Sequence, residues 1–337
     1  MTQAGTPMVP PPWIADQVRQ LLLQRGHAWL LQGPSGLGQY NLAMELARAW
    51  LCEQPTEAGA CGCCGSCHAI EVRTHADLCV LMPETTLLER SWPLGEKAQA
   101  EIDDKKRKAS KEIRVDAMRE AVEFSQRTSA RGRGKVVLVF PAEQMNTITA
   151  NTLLKTLEEP PGDVRFVLAS ESAHQLLPTI RSRCLGHTML WPDPVMSLAW
   201  MQSMGCSPAH AQLLLRAMGG RPEDALAFLA SGRDPGVWNT LPKAVAKGEG
   251  ALFKDWTIPQ IVDAMHKLCH DLMADKTGAT PRFFAASELK TTATLSALTE
   301  WSKALSRTMR TMEHPFHAGL MQEALVGQAK SVLNSRD

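Results

Sequence analysis

A chain of 337 residues, 44% of them hydrophobic, can bury a sizeable core and divides into two or three domains. Its 36 basic and 35 acidic residues nearly cancel, so net charge neither calls for a nucleic-acid partner nor excludes a local basic face. The opening MTQAGTPMVPPPW has no basic cluster followed by an apolar run, and no later apolar stretch is long enough to span a bilayer; the expected compartment is the cytoplasm, with no membrane partner.

In chain order, HAWLLQG from His27 is a short apolar run ending in glycine, and NLAMELARAWL after it sets Leu42, Leu46 and Trp50 at helical spacing. The pattern predicts strand, loop and helix. DLCVLMP and the valine-rich KVVLVFP, Lys135 to Pro141, predict two more buried strands, and VRFVLAS a fourth. Between them, VDAMREAVEF places Val115, Met118 and Val122 on one helical face, and NTITANTLLKTLEEPP predicts a helix stopped by Pro160 and Pro161. Strands alternating with helices of this length imply an α/β module with a parallel sheet covered on both faces, ligands expected at the carboxyl ends of the strands. The stretch from about 84 to 114, with EKAQAEIDDKKRKASKEIR, interrupts this pattern; dense in both charge signs, it reads as a solvated helix or mobile insertion without chemistry. After Trp191, short helical segments punctuated by Gly and Pro suit a small helical domain at 190–234, and helical periods continue through an all-helical region at 235–337.

The loop between the first strand and its helix, GPSGLGQY, is spaced as a phosphate-binding loop, with Gly33 and Gly38 at its glycine positions. The Lys and the Ser or Thr of such a loop are replaced by Gln39 and Tyr40. Gln39 has no ammonium group for a phosphate, and Tyr40 puts a bulky ring where a small hydroxyl would meet magnesium.

Five of the nine cysteines fall between Cys52 and Cys67. C-x2-C-x2-C at Cys61, Cys64 and Cys67, with Cys52 upstream at the end of the loop helix, offers four thiolates to a closed, structural zinc site, and glycine in the spacers lets the sulfurs converge. Cys63, adjacent to Cys64, is the spare. The competing readings are reduced thiols in a loop and a redox C-x-x-C, for which nothing nearby follows the thioredoxin pattern.

LLKTLEEPP at Leu153 to Pro161, the following FVLAS, and LLPTIRSRC ending at Cys184 closely resemble the clamp-loader branch of the AAA+ proteins, whose bacterial members carry a cysteine module after the loop helix. The resemblance covers most of Pro10 to Leu229 and extends weakly to the end, where HPFHAGLMQEAL is similar to the family's closing segment. It implies an AAA+ module at 1–189 with a zinc-binding insertion (52–67) and a charged insertion (84–114), a helical lid at 190–234 and a helical collar at 235–337.

It also implies where the other parts of an ATPase would stand. The strand VVLVF should end in an Asp-Glu pair for magnesium and water, yet Pro141 and Ala142 follow it; in the lid, Glu223 stands where hydrolysing relatives carry Arg, with Arg221 two positions off. ATP is therefore expected neither to be hydrolysed nor to be bound tightly, and Gly33, Pro34, Gly36 and Gly38 turn the chain from strand to helix. Intact is Ser-Arg-Cys at Ser182 to Cys184, a motif that in clamp loaders sends an arginine into the neighbouring subunit's ATP site; Arg183 is the candidate finger and Arg181 its nearest competitor, against the reading that Arg183 pairs with a local carboxylate and only stabilises the turn. The implied partners are the ATP-binding gamma/tau subunits and the clamp-opening delta subunit of DNA polymerase III, with the sliding clamp and primed DNA met through the complex. Two other readings compete: an active AAA+ ATPase with an altered loop, and a zinc-dependent nucleic-acid-binding module.

Overall fold

The structure, a computed structural model, describes residues 10–311 and 317–335, which fall into two compact units, Met1–Pro192 and Asp193–Asp337. Of the closing segment HPFHAGLMQEAL, His314, Pro315 and Phe316 lie outside the described residues.

The first unit is built on an all-parallel sheet of five strands in the order β2-β3-β4-β1-β5: β1 Ala28–Gln32, β2 Leu78–Leu81, β3 Lys135–Val139, β4 Val164–Ser170 and β5 Leu185–Thr188. Parallel strands covered on both faces read as continuous apolar runs, and β3 accordingly buries all of its residues. On one face Val137, Val139, Phe166 and Leu168 pack with Met118, Leu153 and Leu157 of the helices Val115–Gln126 and Thr147–Glu158. On the other, Val136 meets Ala47 and Leu51 of the loop helix Gln39–Leu51. The one charged residue of β3, Lys135, is tolerated because its Nζ lies 3.3 Å from the wholly buried Asp77 carboxylate, which also accepts from the Ala130 and Arg131 N–H groups at 2.8 and 2.9 Å.

Four of these strands stand where the apolar runs predict them. The fifth, Leu-Gly-His-Thr, was not predicted: it is an edge strand, paired only with β1 and mostly exposed, so it needs neither length nor apolar periodicity. The charged stretch contains two helices, Glu84–Glu89 and Glu96–Asp103, and its charges pair in a defined way. Arg107 donates to the buried Glu84 at 2.8 Å and to Glu101 at 2.7 Å, and Ile113 near the end of the stretch is wholly buried.

The second unit is helical, with helices Pro194–Ser203, Pro208–Ala217 and Pro222–Ala230 followed by Val237–Lys247, Ile258–Lys276, Leu295–Thr311 and Ala318–Leu333. Phe228 packs on Trp238 and Trp256, with ring centroids 5.9 and 5.7 Å away, so side chains bridge the sequence position where lid and collar were divided. Among the described residues no helix is long and apolar enough to cross a membrane.

Candidate functional site

The phosphate-type loop sits at the carboxyl end of β1, where a parallel sheet places its ligands. Gly36 and Gly38 hold φ of 77° and 94°, a left-handed conformation that disfavours side chains, and the chain then enters the helix directly at Gln39. A side chain at Gly33 would start 2.9 Å from Met189 Cβ, so glycine there serves packing.

Inside the loop the two substituted residues are not idle. The buried Gln39 donates from Nε2 to the carbonyls of Gly33 and Pro34, at 2.8 and 2.7 Å. An amide nitrogen has two hydrogens, so both are taken and none is left for a phosphate oxygen. The Trp13 indole N–H donates to Leu37 O at 2.8 Å, satisfying a third loop carbonyl. The Tyr40 ring lies against Phe140 with centroids 5.4 Å apart, and its hydroxyl accepts from Trp92 Nε1 at 2.8 Å. Burial, partly offset by that hydrogen bond and by Arg90, pushes the Tyr40 phenol above its ordinary range.

Pro141 and Ala142 follow the end of β3, and Ala142 is wholly buried in the core. The next residue, Glu143, was not singled out from the sequence. One of its oxygens accepts from the Glu171 N–H at 3.0 Å, which ties the turn after β3 to the turn after β4, and its other, buried oxygen has no partner among the described residues.

Cys52, Cys61, Cys64 and Cys67 come together, their sulfurs all within 4.8 Å of one another, in a group that could hold a metal ion. Cys52 caps the carboxyl end of the loop helix and Cys64 the amino end of the short helix Gly65–Glu71, so two helix ends and the intervening turn carry the four sulfurs. The backbone N–H groups of Cys61 and Cys67 point at the sulfurs of Cys52 and Cys64, at 3.3 and 3.4 Å. Backbone N–H groups of Cys63 and Cys64 bring the Cys61 thiol down to about 6, whereas burial pushes Cys67 up to about 12, a thiol that needs a cation beside it to ionise. Cys63 is exposed and stands outside the group, its sulfur 3.7 Å from that of Cys61.

Arg183 follows the short helix Pro178–Arg181. Its Nε donates to Glu158 Oε1 at 2.7 Å and Nη1 donates to Thr179 O at 2.8 Å, so in the free chain the guanidinium is paired locally. Glu158 belongs to the Leu-Leu-Lys-x-Leu-Glu-Glu motif, 25 positions earlier; it is the local carboxylate of the competing reading of Arg183, which spacing alone does not identify. Arg181 is exposed. In the second unit, Arg221 lies 3.2 Å from Asp224 and Glu223 opens the helix Pro222–Ala230.

A family model described as DNA polymerase III, delta subunit matches residues 19–189. The DNA polymerase III subunit delta-prime of Escherichia coli is 30% identical over 277 residues, 76% of each chain, and that of Pseudomonas aeruginosa is 41% identical over 201 residues, 59% of this chain. The chain belongs to the delta-prime family of DNA polymerase III. The match spans 54%, about half, of the P. aeruginosa delta-prime. The E. coli tau subunit is 31% identical over 71% of this chain, but the match covers only 34% of its own length. Among solved structures, a DNA polymerase III gamma subunit-related protein of Thermotoga maritima is 16% identical over 95% of this chain and 99% of its own, with a TM-score of 0.48. The α/β unit of this delta-prime family member thus carries a substituted phosphate-type loop at the carboxyl end of its first strand.

Proposed function

We propose that the chain serves as the delta-prime subunit of a clamp loader: it does not hydrolyse ATP, and it helps its gamma/tau and delta partners load the sliding clamp on primed DNA. The observation that carries this reading is the loop itself. Gln39 uses both amide hydrogens on loop carbonyls, Tyr40 packs on Phe140, and Pro141 and Ala142 stand in place of two carboxylates, so phosphate charge, metal and attacking water all lack a partner. The helices of 190–234 act as a lid and those of 235–337 as a collar through which the ring assembles.

The chain's contribution to chemistry is then Arg183. Its planar fork, held near the surface by Glu158, transfers to the phosphoryl group in the neighbouring subunit's ATP site, where it offsets charge that develops in the transition state. The exchange is one of like for like, a carboxylate for a phosphate oxygen, so little energy is lost in leaving Glu158.

Zinc fits the four cysteines. A Zn–S bond of about 2.3 Å in a tetrahedron sets neighbouring sulfurs about 3.8 Å apart, and the Cys52–Cys64, Cys52–Cys67 and Cys61–Cys67 pairs lie at 3.8, 3.8 and 4.0 Å. When bound, the ion supplies a closed cross-link with no open position for substrate. Cys52, Cys61, Cys64 and Cys67 would hold it, fixing the turn that follows the loop helix.

The test is ATP hydrolysis by reconstituted complexes with clamp and primed DNA. Arg183→Ala should assemble normally and lower hydrolysis partially, since one site of several loses a group that contributes about 10³ to 10⁵ in rate elsewhere; Arg183→Lys should also be impaired. Wild-type rates from an intact Arg183→Ala complex would leave the subunit purely structural.

A further inference from the structure

The start of the charged stretch reaches the substituted loop. The helix Glu84–Glu89 ends in a tight turn, in which the Trp92 N–H donates to Leu87 O at 2.8 Å and Ser91 takes φ 54°, unusual for a residue other than glycine. That turn carries two side chains to one place. The Arg90 guanidinium lies 4.2 Å from the centroid of the Tyr40 ring and 5.1 Å from that of Phe140, and Trp92 donates its indole N–H to the Tyr40 hydroxyl. Arg73 in turn lies 5.2 Å from the Trp92 ring. The base of the segment is fixed separately: the buried Glu84 accepts from Arg107 and, at 2.8 Å, from the Ser110 N–H.

We infer that this segment is an internal occupant of the retired site, with Arg90 and Trp92 clamping Tyr40 against the end of β3 while Gln39 closes the loop behind it. A nucleotide with its metal bridges a phosphate loop to the adjacent strand end and so fixes the two together. Here the same two elements are joined by protein: Gln39 binds the loop carbonyls, Tyr40 spans from the helix start to Phe140, and a cation is supplied by Arg90 over both rings. The charged stretch thereby acquires a role, which is to keep the loop ordered without ligand. This rests on the reading that the loop no longer takes ATP.

Hydrogen exchange on the zinc-loaded full chain tests it, comparing wild type with Arg90→Ala and Trp92→Phe. The second variant keeps an aromatic ring at position 92, smaller than the indole, and removes the donor. Cation–π contacts in this range correspond to about 2- to 30-fold in a local opening equilibrium, so amides of residues 33–42 should exchange faster by that factor in Arg90→Ala. Trp92→Phe should give an increase of about 2- to 12-fold, the loss of one neutral hydrogen bond. Amides of 61–71 should not change. Should both variants loosen only 84–92 and leave 33–42 at wild-type rates, the segment merely lies on the surface and the inference fails. A uniform increase over the whole chain in Trp92→Phe would equally overturn it, by showing a general packing role. Calorimetric titration of the wild type with magnesium-ATP separates the premise: tight binding there would overturn the retired-site reading itself, whereas unchanged loop protection without binding overturns only the internal occupant.

Discussion

Glu158→Gln should free Arg183 without harming the subunit. In the chain as it stands, Glu158 takes the Arg183 Nε–H at 2.7 Å, with the two side chains 48% and 30% exposed. Pairs this open to solvent contribute about 0.2–1 kcal/mol. Converted at tenfold per about 1.4 kcal/mol, that is about 1.4- to 5-fold in the balance between the parked and the released guanidinium. Gln keeps the shape and an acceptor oxygen while removing the charge. Clamp- and DNA-stimulated ATP hydrolysis by the reconstituted complex should therefore stay level or rise, by no more than about fivefold. Thermal unfolding of the chain should shift by about 4 °C or less. The double change with Arg183→Ala should behave as Arg183→Ala alone, because the only partner of interest is gone. A tenfold or larger fall in hydrolysis from Glu158→Gln would refute the reasoning: the carboxylate would then be holding the arginine in its working pose.

Two further outcomes are expected. Cys64→Ser should lose zinc while Cys63→Ser retains it, by elemental analysis of the purified chain; zinc lost with Cys63 and kept without Cys64 would reverse the ligand assignment. The second concerns acid. Burial opposes ionisation of Glu84, but Arg107 and the Ser110 N–H outweigh it and hold the carboxyl below its ordinary range. A depressed pKa contributes stability that is present above the unfolded-state value and is lost as pH falls through the folded-state one. Glu84→Gln should hence be destabilised at neutral pH, by about 1.5–3 kcal/mol for a charged hydrogen bond, with the gap to wild type closing below about pH 4. Parallel unfolding curves that never converge would contradict this.

Much of the α/β unit was legible in the sequence because its signals are local. Continuous apolar runs give the buried strands, prolines stop the helix Thr147–Glu158, and two-residue spacers bring cysteines together. What escaped is set by distant partners. Leu185–Thr188 is a strand only because β1 offers it an edge. Glu84 and Arg107 look like any solvated charges until the fold seats them together, and Arg90 and Trp92 carry no motif at all. The substitutions at Gln39 and Tyr40 were visible as losses, yet what those side chains do instead, bonding the loop carbonyls and the Trp92 indole, depends on geometry that spacing does not encode.

The loop helix Gln39–Leu51 begins at a left-handed glycine and ends on Cys52, a member of the sulfur group. An α-helix turns about 100° per residue, so one residue gained or lost within it would swing Cys52 about a quarter of the way round the axis and carry its sulfur out of a group whose members lie within 4.8 Å. Loop and cysteine cluster are thereby locked in phase by a helix of fixed length. Drift in the loop's chemistry leaves that phase untouched, whereas drift in the helix's length breaks it, so the cradle of a phosphate site persists here as the anchored end of a strut.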